Sequence, residues 1–157
     1  MKRLLPVMLS LAGMTYAATV PNPALKGVQL CLPATGAIVT SRTLPAGFAQ
    51  RLDKALRQEI ESRNLTKDII CTAGKQPIGK INIYVVVTEP ESDQHRAVST
   101  LLEVHDTNLV RNATVSRYAD HGMWLTNEVG ERLWMQVEGS VRSHFHDLMV
   151  EWFRANP

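Results

Sequence analysis

In "KINIYVVVTEP", Ile81, Ile83, Val85 and Val87 fall on one side of the chain and Asn82, Tyr84, Val86 and Thr88 on the other. A period of two predicts a strand packed on one face. "AVSTLLEVH" repeats it, with Val98, Thr100, Leu102 and Val104 inward and Ser99, Glu103 and His105 outward. "LVRNATVSRY" reads as a third, weaker strand, and "GVQLCLP" at 27–33 as a first short one stopped by Pro33. The period becomes helical in "GFAQRLDKALRQEIESRN". There Phe48, Ala49, Leu52, Leu56 and Ile60 share a face, while Arg51, Lys54, Arg57 and Glu61 lie opposite. Asn64 suits the left-handed residue that ends a helix, with Leu65 folding back as its apolar contact. A second helix is expected over 127–153, capped by Thr126 or Asn127. Its core stripe is Val129, Leu133, Val137, Val141, Leu148 and Trp152, with Trp134 and Phe145 at the margin. Segments 34–47 and 119–127 read as connections. The order β-α-β-β-β-α predicts an α+β domain, an antiparallel-rich four-stranded sheet with two helices packed on one face.

This pattern decides how to read "HD" at His105-Asp106. As a base and the acid that orients it, the pair would be chemistry. Yet Asp106-Thr107-Asn108 offers turn residues between two strands. Adjacent strand residues also face opposite ways, so the two side chains are badly placed to cooperate. A hairpin corner is the expectation.

The N-terminus changes the picture of where the chain works. Lys2 and Arg3 precede an apolar run from Leu4 to Met14 and the small residues around Thr15-Tyr16-Ala17. That is the pattern of a secretory signal peptide, too short to remain as a spanning helix. Residues 1–17 are expected to be removed, 18–26 to form an extended leader, and 27–154 to fold as one domain. No Cys follows the cleavage site, so no lipid anchor is expected there. The signal also takes two of the 17 basic residues and none of the 15 acidic ones, leaving 15 against 15. Such a balance argues against a nucleic-acid partner, which needs a concentrated basic face.

The two cysteines, Cys31 and Cys71, are expected to pair in an oxidising compartment. The link would contribute about 4 kcal/mol by chain entropy.

The strand "GVQLCLP", the helix "FAQRLDKALRQEIESRNL" and the segment "LLEVHDTNLVRNATVSRY" together resemble a layout found in small bacterial envelope domains. These are the N-terminal domain of TolB proteins and the lipoprotein of the lipopolysaccharide-transport complex. A hairpin with Asp-x-x-Gly commonly precedes the last helix there; here Asp106-Thr107-Asn108-Leu109 holds that corner without the glycine. The resemblance implies a non-enzymatic envelope domain and carries over no functional residue.

Candidate chemistry is sparse. His144 falls beside Leu133 and Val137 and reads as a core-edge histidine. His146 points outward and His95 sits in a polar loop; a metal site would require His121 to fold onto another of these histidines, and none is assigned. No nucleophile elbow or phosphate-binding glycine loop is present. No catalytic residue and no cofactor is assigned. A Ser-His-Asp set assembled in space remains open, because triads need no sequence proximity. On the outer side of the second helix, Met135, Arg142, His146, Met149 and Phe153 form a possible partner surface, since Met and Arg are common at interfaces. Asn64-Leu65-Thr66 and Asn112-Ala113-Thr114 are glycosylation sequons that matter only in a eukaryotic pathway. The expectation is an exported, periplasmic or secreted, non-enzymatic interaction module. Its partner would be an envelope protein or a second copy, and it would have no stable membrane anchor. A small-ligand or metal carrier and a hydrolase are the alternatives.

Overall fold

The computed structural model describes residues 21–34, 37–40, 44, 47–72, 77–88, 95–106 and 115–157. The expected signal and its cleavage site lie outside these residues, as do Thr107, Asn108, Leu109 and Asn112. Among these residues the chain is α+β, with a mixed sheet of five strands and two α-helices.

The strands are β1 (Gln29–Cys31), β2 (Ala37–Thr40), β3 (Ile78–Thr88), β4 (Arg96–Asp106) and β5 (Val115–Thr126). β3 pairs antiparallel with β4, and β4 with β5. On its other edge β3 receives β1 at Ile78–Lys80 and β2 at Ile83–Val86, both parallel. The sheet therefore has one strand more than expected and is mixed. β2 was read as part of a connection; four residues, "AIVT", are too few to show a period in sequence, and their pairing partner lies over forty residues away.

The helices are α1 (Phe48–Ser62) and α2 (Gly130–Ala155). α1 ends as its sequence indicates: Asn64 adopts φ 61, and the N–H of Leu65 donates to Ile60 O at 2.9 Å with Leu65 buried. α2 begins three residues later than expected. Thr126 Oγ1 does accept the Glu128 N–H at 3.1 Å, but it shapes the turn before the helix. Val129, assigned to the core stripe, stands ahead of the helix and is 54% exposed.

Both helices cover the same face. The alternation in β3 and β4 holds, with Ile81, Ile83, Val85, Val98, Leu102 and Val104 buried among Leu52, Leu56, Leu133, Val137, Phe145 and Leu148. Phe48 meets Trp134 edge to face at 4.8 Å, and the Arg51 guanidinium lies over the Trp134 ring while pairing with Glu131. Cys31 and Cys71 are joined across 40 residues of sequence, the pairing expected from their number.

The largest departure from expectation is β5. Residues 119–127 were read as a connection. They continue the strand instead, paired residue by residue with β4 from Leu102↔Asp120 to Arg96↔Thr126.

Candidate functional site

The corner at His105-Asp106 comes out half as expected. The two side chains do point to opposite faces. His105 is on the open face, where its Nε2 lies 2.7 Å from Glu103 Oε2. Asp106, however, is the last residue of β4 and not the first of a turn. Its carboxylate is 2% exposed and accepts from Arg117 Nη2 at 2.6 Å. A register shift between Val104 and His105 admits Arg117 as the extra residue that reaches it. His105 and Asp106 therefore have separate partners, Glu103 and Arg117, on opposite faces of the sheet.

The helix stripe assigned as a partner surface is not one continuous surface. Arg142 is held by Glu59 of α1 and Glu138 of its own helix, and His146 Nδ1 lies 3.3 Å from Arg63 Nη1. Both residues therefore line the seam between α1 and α2. Met149 is 4% exposed and belongs to the core, which corrects its assignment as an exposed anchor. Only Met135 and Phe153 stand out, near opposite ends of α2. They are 18 residues apart, some 27 Å at 1.5 Å per residue.

Exposed apolar groups gather instead on the uncovered face of the sheet. The register aligns Ile38, Tyr84, Leu101 and His121 in one row, Thr40, Val86, Ser99 and Met123 in the next, and Thr88, Ala97 and Leu125 in the third. Met123 is 75% exposed and Leu125 70%, with Ile38 and Val86 also open. Toward the other end the face turns polar, through Asn82, Glu103, Lys80 and His105. The sequence held this signal in Met123 and Leu125, two residues apart. It was missed because a connection was expected there.

A second constellation lies on the covered face, where α2 passes over β4 and β5. His144 Nδ1 meets Asp120 Oδ2 at 2.8 Å. His144 Nε2 lies 3.0 Å from Thr100 Oγ1 and 3.3 Å from Ser140 Oγ, and the two hydroxyls are 2.8 Å apart. Ser140 and His144 are one helical turn apart, so they share a face. Thr100 comes from β4 and Asp120 from β5. With the carboxylate taking the Nδ1 proton in a hydrogen bond, Nε2 is the acceptor for a hydroxyl. His144 is thus buried at the core edge as expected, but with a full set of polar partners that sequence did not reveal.

Gly122 makes this arrangement fit. A Cβ placed there would lie 3.1 Å from Ser140 Oγ, 3.2 Å from Thr100 Oγ1 and 3.3 Å from His144 Nε2. An added side chain would press on all three polar atoms, which would have to give by a few tenths of an ångström. The burial is graded: Thr100 is fully buried and His144 nearly so, while the Asp120 side chain is 32% exposed and Ser140 half-buried. Beside the cluster, Trp124 Nε1 donates to Gln136 Oε1 at 3.2 Å. On the other side, burial, and then the carboxylates of Asp120, Asp147 and Glu151, raise the Tyr118 phenol far above its ordinary value, so it stays protonated.

Among the described residues no three His, Cys, Asp or Glu side chains converge as a metal site, and no helix is long and apolar enough to cross a membrane. A cleft of about 440 Å³ runs along the outside of α1, lined by Gln50, Asp53, Lys54, Arg57 and Glu61. Burial raises the Asp53 carboxyl pKa, opposed by Arg57 and by a hydrogen bond from the backbone of Ala37.

Comparison of the chain with models of protein families, with curated proteins and with solved structures finds no match.

Proposed function

We propose that the mature chain is an exported interaction module of the cell envelope, and that it binds its partner through the open face of the sheet. The observation that carries this reading is the apolar half of that face. Four exposed side chains, Ile38, Val86, Met123 and Leu125, lie on adjoining rows of a sheet whose other face packs against the two helices. Lone exposed apolar residues are ordinary, but a contiguous group on a flat surface marks a contact site. Export is supported by the N-terminal pattern and by the Cys31–Cys71 link, which suits an oxidising compartment. The likeness of layout to small envelope domains points the same way.

A carrier role has less support. The space between sheet and helices is filled, with Leu52, Leu56, Ile81, Leu102 and Leu148 at zero exposure. The 440 Å³ cleft lies along α1, apart from that space, and most of the residues lining it are charged or amide-bearing.

The test is a paired capture from envelope extract, using tagged wild type and the double variant Met123→Ser/Leu125→Ser. A protein retained by wild type and lost by the variant, at equal melting temperature, supports the reading. A partner retained equally by both overturns the assignment to this face. N-terminal sequencing of the exported protein is expected to begin at Ala18, and recovery of Met1 would contradict export.

A further inference from the structure

We propose that two copies of the chain pair through the outer edge of β5, antiparallel and about a twofold axis at Gly122, so that their sheets run on as one. The proposal concerns the main chain of the edge strand and goes beyond the contact role of the open face.

The direction of the main-chain groups along β5 follows from a contact at the end of β3. Thr88 Oγ1 accepts the Ala97 N–H at 3.2 Å and donates to Ala97 O at 3.1 Å, so both Ala97 groups face β3. In an antiparallel ladder this direction alternates along each strand, and opposed residues either face one another or face apart. Ala97, Ser99, Leu101 and Glu103 of β4 therefore turn toward β3. Their opposites in β5, Leu125, Met123, His121 and Ala119, turn N–H and C=O outward, away from β4. β5 ends the sheet, and no backbone bond joins these outward groups to another described residue.

Such an edge is a template for another strand, and folds commonly guard it with Lys, Pro or a bulge. Residues 118–126 hold no Lys, Arg or Pro, and the register shift of the ladder lies beyond them, opposite Val104/His105. All four outward residues are exposed.

Symmetry sets the occupant. Outward residues must oppose outward residues, and an axis at Gly122 pairs all four among themselves: Ala119 with Leu125 of the second copy, and His121 with its Met123. Each such pair exchanges two N–H···O bonds. Gly122 then opposes itself, where the main chains come closest, Asp120 opposes Trp124, and no like charges meet. Above the sheet, α2 adds a second contact. Gln136 and Ser140 mark its side toward β5, and Gly139 and Ser143, each three residues further on, are exposed. A Cβ on Gly139 would meet nothing within 4 Å. Because α2 bonds to both β4 and β5, the two copies of α2 come about 10 Å apart, two strand spacings. That is close to the packing distance of helices, and residues this small permit it.

The experiment combines sedimentation equilibrium with residue-resolved amide hydrogen exchange on the wild-type protein over a wide concentration range. A dimer is expected, with the amides of Ala119, His121, Met123 and Leu125 protected only as it forms, and those of Asp120, Gly122 and Trp124 protected at every concentration. His121→Pro removes one outward N–H and should weaken the dimer by roughly 10- to 100-fold at an unchanged fold. Met123→Ser/Leu125→Ser keeps the main-chain groups and should retain the dimer, which separates this contact from partner binding by the open face. A monomer at every concentration, a dimer whose outward amides exchange as fast as in the monomer, or a dimer indifferent to His121→Pro would overturn the proposal. So would a dimer lost with the serine pair, or outward amides protected only when envelope extract is added to a monomer, which would assign the edge to a foreign strand. Exchange on the wild type decides the matter even if the proline variant fails to fold.

Discussion

The two faces of β3, β4 and β5 come from one alternation, yet they are finished in opposite ways. On the covered face, apolar residues are sealed by α1 and α2. The polar residues among them are paired: Thr100 and His144 with each other, and Asp106 with Arg117. On the open face, Met123 and Leu125 stand largely in water while Glu103 and His105 pair with each other at the far end. Area removed from water stabilises a fold by about 25 cal/mol per Å². The covered face therefore carries the fold, while the exposed apolar half of the open face contributes little to it. Apolar groups retained where the fold gains little from them are available for a contact with something else.

That contrast is broken most severely from the covered side. Phe145 is 1% exposed and sits at the centre of the core. Phe145→Ala is expected to cost roughly 3–5 kcal/mol, read from denaturant midpoints at unchanged slope. A cost near zero would mean that the helices do not seal this face. Cys31→Ser should cost about 4 kcal/mol, from the closed loop of 40 residues. It shows how far the cross-link supports the packing. Native and reduced mass spectra check that the link forms in the purified protein.

A sharper version compares neighbours that face opposite ways. Asp106 is buried against Arg117, and His105 lies on the open face. Asp106→Ala should cost roughly 1.5–3 kcal/mol, since the guanidinium loses a charge-assisted partner. His105→Ala should stay within about 0.5 kcal/mol, as surface changes do. Thermal melts of the two variants side by side give the answer. Equal losses would show that the two faces are not energetically distinct at this end of the sheet.

Much of the covered face was legible in the sequence, and little of the open one. The alternation of Ile81 to Val87 and of Val98 to Val104, and the stop at Asn64-Leu65, depend on local spacing and came out as read. What was missed depends on neighbours far along the chain. β2 exists because β3 offers it an edge. Gly122 falls in the segment read as a connection, but it is a strand residue whose lost side chain makes room for Ser140 and His144. Met149 was placed outside because spacing gives the direction of a helical stripe but not its width; the core claims it. The Asp120–His144–Ser140 contacts need the register of β4 on β5 and the position of α2 above them. No local pattern encodes either.

The smallest expected effect on stability tests the open face itself. Met123→Ser/Leu125→Ser removes two side chains that are 75% and 70% exposed, so little buried area is lost. The double variant should melt close to wild type, each change within about 0.5 kcal/mol. Its effect should appear in association, because a few apolar anchors usually dominate an interface. Sedimentation equilibrium and the capture experiment separate the two kinds of partner. If self-association is lost, the face joins two copies; if a co-purifying protein is lost while self-association is unchanged, the partner is foreign. Met135→Ser on α2 serves as the control, being 65% exposed but apart from the patch. Should Met135→Ser weaken association as strongly as the sheet pair, the contact would lie on the helices, and the contrast between the two faces would lose its functional meaning.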